Sequence, residues 1–190
     1  MAESVTHADG VVGHFLFDAT TKAGLRLAAG CSQFVVCEAK IFAGLSAGTK
    51  RAPEFNQAAR NVGCITETLR LAGPFSVKYK SLGFFVLAPA SQIEAGIFSG
   101  QMSKDSIRNR LIQRVRMYEG QSDHANLQRW LDEWAFPVVD RLKLDCCPWE
   151  SVIDQVKVIN PEYGASLAEF YELCRKYNAA ANPTAERGFR

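Results

Sequence analysis

Phe34-Val35-Val36-Cys37-Glu38-Ala39-Lys40-Ile41-Phe42 (FVVCEAKIF) is the most strand-like stretch of this 190-residue chain, and an acid and a base stand in its middle. β-Branched and aromatic residues suit a pleated, half-buried surface. Side chains alternate along a strand, so Val35, Cys37, Ala39 and Ile41 share one face and Phe34, Val36, Glu38, Lys40 and Phe42 the other. Burying either charge alone costs several kcal/mol, so Glu38 and Lys40 must pair, meet solvent in a cleft, or bind something charged. The expectation is a central strand with both charges on one face and Cys37 and Ala39 packed under a helix.

The flanking sequence supplies a sheet and one helix for that strand. Gly10–Phe17 (GVVGHFLF) predicts a strand ending at the turn-like DATTKAG, and Gly24–Ala28 its hairpin return. Gly44–Lys50 reads as a loop, and a helix follows from Pro53 to Leu71, opened by proline and closed by Gly73-Pro74. Phe55, Ala59, Val62, Thr66 and Leu69 recur at helical spacing and mark its buried face, which leaves Gln57, Arg60, Asn61 and Cys64 opposite. Phe75–Lys80 and Gly83–Ala88 predict two more strands, a β-β-β-α-β-β order around one mixed sheet. From Ser91 the pattern turns helical, over 91–98, 104–118, 124–142, 149–158 and 161–177, with Pro137 kinking or ending the third. Leu127, Trp130, Leu131 and Trp134 form an apolar stripe that reads as core. The expected organisation is an α/β (α+β) core over 1–90, a helical region over 91–178 on or beside it, and a flexible tail over 179–190.

Composition narrows the function classes. Hydrophobic residues at 47% and charged residues at 22% exclude a disordered or collagen-like chain. With 22 basic against 20 acidic residues the net charge is +2, which excludes a globally basic coat but allows a local basic groove. No apolar run approaches the ~18 residues of a membrane span. The start, MAESVTHADG, shows neither a basic nor an apolar leader, so a cytoplasmic protein without a membrane partner is expected. Six cysteines, at 31, 37, 64, 146, 147 and 174, form no C-x-x-C pair, which argues for reduced thiols rather than a zinc ribbon. His7, His14 and His124 share no ligand spacing.

A bare [DE]-x-K arises about once by chance in such a chain, and its position inside the strongest strand is what gives it weight. A metal needs a second carboxylate nearby. Asp9 opens the first predicted strand and Asp18 ends it, so either acid could approach Glu38 across the ladder. Mg²⁺ is held by one or two carboxylates together with waters and phosphate oxygens, so Asp9 and Glu38 would suffice. Lys40 beside an attacked phosphate would orient water and neutralise developing charge.

These residues resemble the PD-(D/E)XK nuclease superfamily, whose members open one strand with Asp and carry (D/E)-x-K in a following strand. Asp9, Glu38, Ala39 and Lys40 match that order, with Ala8 where the family usually has proline, and Gln57 in FNQAARN is similar to the helix glutamine of its exonuclease branch. The resemblance covers roughly residues 6–90. It implies a restriction-endonuclease-like mixed sheet and Mg²⁺-dependent hydrolysis of phosphodiester bonds, with Mn²⁺ as substitute and DNA favoured over RNA. It also implies that Asp9, Glu38 and the Ala39 carbonyl hold the metal, that Lys40 assists its water and that Gln57 helps position it. The family usually has a helix before the first core strand, and only eight residues precede Asp9. The chain is therefore expected to be a fragment, a degenerate member, or one whose N-terminal part is completed by a partner, and a homodimer is the other partner expected.

Nucleic-acid contacts are expected from Lys50 and Arg51 before the helix, from Arg60 on it, and from Arg108 and Arg110 in the helix that also carries Arg114 and Arg116. Those four arginines do not sort onto one helical face. Lys78 and Lys80 share a strand face and could flank the same cleft. The contrasting expectation is a non-enzymatic module that keeps the nuclease-like fold and binds nucleic acid or protein.

Overall fold

A computed structural model of the chain describes residues 8–17, 24–50, 52–73 and 79–181, the side chains of 179–181 excepted. In chain order the elements are β1 (Gly10–Gly13), β2 (Phe15–Phe17), β3 (Leu25–Leu27), β4 (Gln33–Ala39), α1 (Gln57–Leu71), β5 (Ser81–Ala88), α2 (Ala90–Glu94), α3 (Lys104–Arg116), α4 (His124–Trp130), a π-helical turn (Leu131–Ala135), α5 (Phe136–Arg141), β6 (Lys143–Pro148), α6 (Trp149–Ile159) and α7 (Pro161–Ala181). The fold is mixed α/β, with a four-stranded sheet in the order β1-β4-β5-β6 and a separate hairpin of β2 and β3.

β4 lies inside that sheet. On one side β1 runs antiparallel to it, with Gly10 opposite Cys37 and Gly13 opposite Phe34. On the other, the Lys80 N–H donates to the Ser32 carbonyl and the Lys40 N–H to the Leu87 carbonyl, both at 2.8 Å, so β5 runs in the same direction as β4. Parallel neighbours need a crossover connection, and α1 is the helix within it.

Several boundaries differ from those expected. The strand over 10–17 breaks at His14 because Gly13 adopts a φ of +153°, and a Cβ there would sit 2.2 Å from the Gln33 carbonyl oxygen. The strand over 34–42 stops at Ala39, and Phe42 holds a φ of +61° as the chain turns away. α1 begins at Gln57 rather than Pro53. The Asn56 side chain accepts from the Ala59 N–H at 2.9 Å and so caps the helix, while Pro53 lies in the turn after the Thr49–Ala52 bridge. Of the strand expected over 75–80, residues 75–78 lie outside the described residues, and Lys80 precedes β5. The helix over 124–142 runs through Pro137, because the turn before it widens until the Phe136 N–H reaches the Leu131 carbonyl. That widening accommodates the ring that would clash with a regular preceding turn. β6 falls where no strand was expected: KLDCCP has little β-branching and ends in proline.

The chain forms two compact units, one from Met1–Glu38, Leu45–Phe85 and Gly100–Asp145, the other from Ala39–Gly44, Val86–Ser99 and Cys146–Arg190. In the first, Phe34, Val36, Val62, Ile65, Leu69, Phe84, Ile107, Leu111 and Val138 are buried, and α1 packs against α3. Ser103 caps α3 by accepting from the Ser106 N–H at 3.1 Å. In the second, Val86, Phe98, Ile153 and Tyr171 are buried and α6 packs along α7. No helix among the described residues is long and apolar enough to cross a membrane.

Candidate functional site

Phe34, Val36 and Glu38 are the buried positions of β4, the alternation expected of one strand face. Glu38 is only 1% exposed. α1 brings two amides to it from a single helical turn: Gln57 Nε2 donates to Oε2 at 2.7 Å and Asn61 Nδ2 to Oε1 at 2.8 Å. Residues four apart share a helix face, so a helix start at Gln57 sets both amides over the same carboxylate. α1 thus lies on the Glu38 face of β4; of the two residues expected under a helix, Ala39 is exposed and Cys37 half-buried.

Both amides are locked in orientation. Gln57 Oε1 accepts from the Ser46 N–H at 3.2 Å, which turns its NH₂ to Glu38, and the Gln57 N–H donates to the Ser46 carbonyl at 2.9 Å. Asn61 Nδ2 also donates to the Gln57 carbonyl at 3.2 Å. Each carboxylate oxygen can accept two bonds, and each accepts one of these amides.

Asp9 is exposed and stands one residue ahead of β1. β1 pairs Gly10 with Cys37, and the same register continued by one residue would set Asp9 across from Glu38 on one face. Asp18 and His7 lie outside the described residues. Ala39 and Lys40 belong to the second unit. Ala39, the last residue of β4, is exposed; Lys40 is half-buried just beyond the strand, its N–H bonded to Leu87 and its carbonyl accepting from Trp149 Nε1 at 3.1 Å.

Among the basic residues, Arg60 and Arg110 donate to the carbonyls of two adjacent residues, Phe55 and Glu54. Lys50 is exposed in a turn, while Arg51 and Lys78 lie outside the described residues. Arg60 braces the loop before α1, donating to Ser46 Oγ at 2.8 Å and to the Phe55 carbonyl at 3.1 Å. Arg108 pairs with Asp140 and with Asp105, and Arg110 with Glu54, so both are tied to carboxylates of the fold itself. Arg114 is buried, its guanidinium 5.3 Å from the Tyr118 ring centroid. Arg114 and Arg116 occupy the last turn of α3, where the helix dipole favours cations.

Asn61, expected on an outward face with Gln57, is 2% exposed, and both amides are bonded to the buried acid. The available signal was Gln57-x-x-x-Asn61, two amides one turn apart, on the helix that follows a strand carrying an acid in need of donors. Among the described residues, no group of three or more His, Cys, Asp or Glu is placed to hold a metal ion. Against known protein families, curated proteins and solved structures, the chain finds no match.

Proposed function

We propose that this chain is a metal-dependent nuclease that hydrolyses phosphodiester bonds, DNA in preference to RNA, with Mg²⁺ as its ion and Mn²⁺ as a substitute. The observation that carries the reading is Glu38: an acid on an internal strand, almost wholly buried and held at both oxygens by amides from one helical turn. An apolar residue of similar volume would stabilise the core at least as well. A carboxylate clamped in one orientation is instead what a ligand to a hard cation requires, since partners of this kind fix the geometry of a metal's ligands. The donor set of Asp9, Glu38 and the Ala39 carbonyl is all oxygen, which fits Mg²⁺. When bound, the ion polarises a phosphoryl oxygen and acidifies water.

In this reading Asp9 and Glu38 bind the ion, and Gln57 and Asn61 hold Glu38 still. Gln57 thus acts through the carboxylate rather than on water. Lys40, two residues along the chain from Glu38, neutralises charge that builds on the phosphate. Lys50, Arg51 and Arg60 remain the proposed phosphate contacts, with smaller parts for Arg108 and Arg110.

The test uses one labelled duplex, cut with Mg²⁺ or Mn²⁺ and bound with Ca²⁺, beside an RNA of the same sequence. Lys40→Ala should slow cleavage about 10²–10³-fold, as loss of a transition-state contact does, while affinity changes less than about twofold. Loss of cleavage and binding together would make Lys40 a docking residue. Wild-type protein that cuts neither substrate with either ion would overturn the reading in favour of a non-enzymatic binding module.

A further inference from the structure

Among the described residues of its own unit, α7 is covered on one side only. Its inner face meets α6: Tyr171 OH donates to Glu150 Oε1 at 2.7 Å, and Gly164 lies so close that a Cβ would stand 2.5 Å from the Lys157 Cα. On the opposite side Tyr163, Phe170, Leu173 and Tyr177 are 73%, 63%, 45% and 67% exposed. Their spacing fills the a, a, d and a places of successive heptads, and Ser166 takes the remaining d place. Aromatic side chains bury about 150–250 Å² each, so this stripe offers on the order of 500 Å². Two such stripes total about 1,000 Å², the threshold of a specific interface and more than scattered surface apolarity accounts for.

We propose that α7 is a self-association helix that packs antiparallel on α7 of a second copy of this chain. In an antiparallel pair each a residue meets a d residue of the other helix. A two-fold axis between Tyr171 and Glu172 then sets Phe170 against Leu173 and Tyr177 against Ser166, and each contact occurs twice. Large side chains meet smaller ones throughout, as dense packing requires. The same register brings Glu169 of each copy beside Lys176 of the other, two opposite-charge pairs across the seam, and sets Leu167 beside Cys174 on the other flank. Parallel pairing would stack Tyr163, Phe170 and Tyr177 on their own counterparts and separate Glu169 from Lys176. The two-fold contact closes on itself, so association stops at the dimer.

Sedimentation velocity between about 1 and 200 µM tests this, because an interface near the lower size limit should half-dimerise at roughly 10–100 µM. Phe170→Glu should weaken dimerisation at least tenfold at an unchanged melting temperature, since the residue touches little within its own copy. Glu169→Lys and Lys176→Glu should each weaken it about three- to tenfold by opposing like charges, and the double variant should restore it. Wild-type protein that stays monomeric at the top concentration, or a dimer indifferent to Phe170→Glu, would overturn the proposal. Charge variants that each weaken the dimer without mutual rescue would overturn the antiparallel register.

Discussion

Replacing Glu38 by glutamine changes one oxygen into an NH₂ and almost nothing in shape, yet it should be costly. Gln57 Nε2 and Asn61 Nδ2 both point donors at the carboxylate, one to each oxygen. A glutamine has one acceptor oxygen to offer, so whichever way it turns, an NH₂ faces an NH₂. Neither neighbour can rotate in response. Turning Gln57 would take its oxygen from the Ser46 N–H, and turning Asn61 would set its oxygen against the Gln57 carbonyl at about the present 3.2 Å. With Glu38 at 1% exposure, water has little access to relieve the clash. The change removes one charge-assisted hydrogen bond and leaves buried donors without an acceptor, a net cost of about 2–3 kcal/mol after relief of the buried charge. For a chain of this length that lowers the melting temperature by roughly 5–10 °C. Adding Asn61→Asp to Glu38→Gln gives the new amide an acceptor and should recover about half, the remainder lost to the new oxygen facing the Gln57 carbonyl. Circular-dichroism melts and urea titrations of the wild type, both single variants and the double variant measure all of this. Glu38→Gln within about 0.5 kcal/mol of wild type would show that the carboxyl does not accept from both amides, and the argument for a clamped ligand would fall with it.

Two further predictions follow from the same structure. Mg²⁺ or Mn²⁺ at about ten times its dissociation constant should add about 1.4 kcal/mol, and so raise the wild-type melting temperature by roughly 3–5 °C, with a smaller rise in Asp9→Asn; a melt unmoved by either ion would count against the metal site. Burial, together with the hydrogen bond it donates to Glu150, pushes the Tyr171 phenol well above its ordinary range. A raised folded-state value contributes stability that is complete below the unfolded value near pH 10 and fades as the pH climbs past it. Tyr171→Phe should therefore be about 1 kcal/mol less stable at pH 8, yet lose less than wild type between about pH 9 and 11.5; equal slopes in urea titrations would refute the linkage.

Local pattern and non-local need account for what the sequence revealed and what it hid. The two-residue alternation of FVVCEA gave the buried face of β4, and Phe55, Ala59, Val62, Thr66 and Leu69 are all buried as their spacing implied. Both signals are local, because they depend only on which side chains repeat with the period of their own element. The start of α1 was misplaced because Pro53 and Asn56 are both good opening residues, and the capping bond to Ala59 decides between them. β6 was hidden because its side chains are mostly half-exposed and its place in the sheet comes from pairing. Asn61 was hidden for another reason: a polar residue on a helix reads as outward-facing unless the acid that needs it is known to lie opposite.

The chain beyond β4 is fixed by its backbone. The N–H and carbonyl of Lys40 are each bonded, to Leu87 and to the Trp149 indole, and two residues later the Phe42 N–H donates to Gln92 Oε1 at 3.0 Å. None of these bonds uses the side chain at position 40. Under the proposed chemistry one residue therefore serves twice: the backbone of Lys40 anchors the chain as it leaves β4, and its side chain meets the charge that builds on the phosphate.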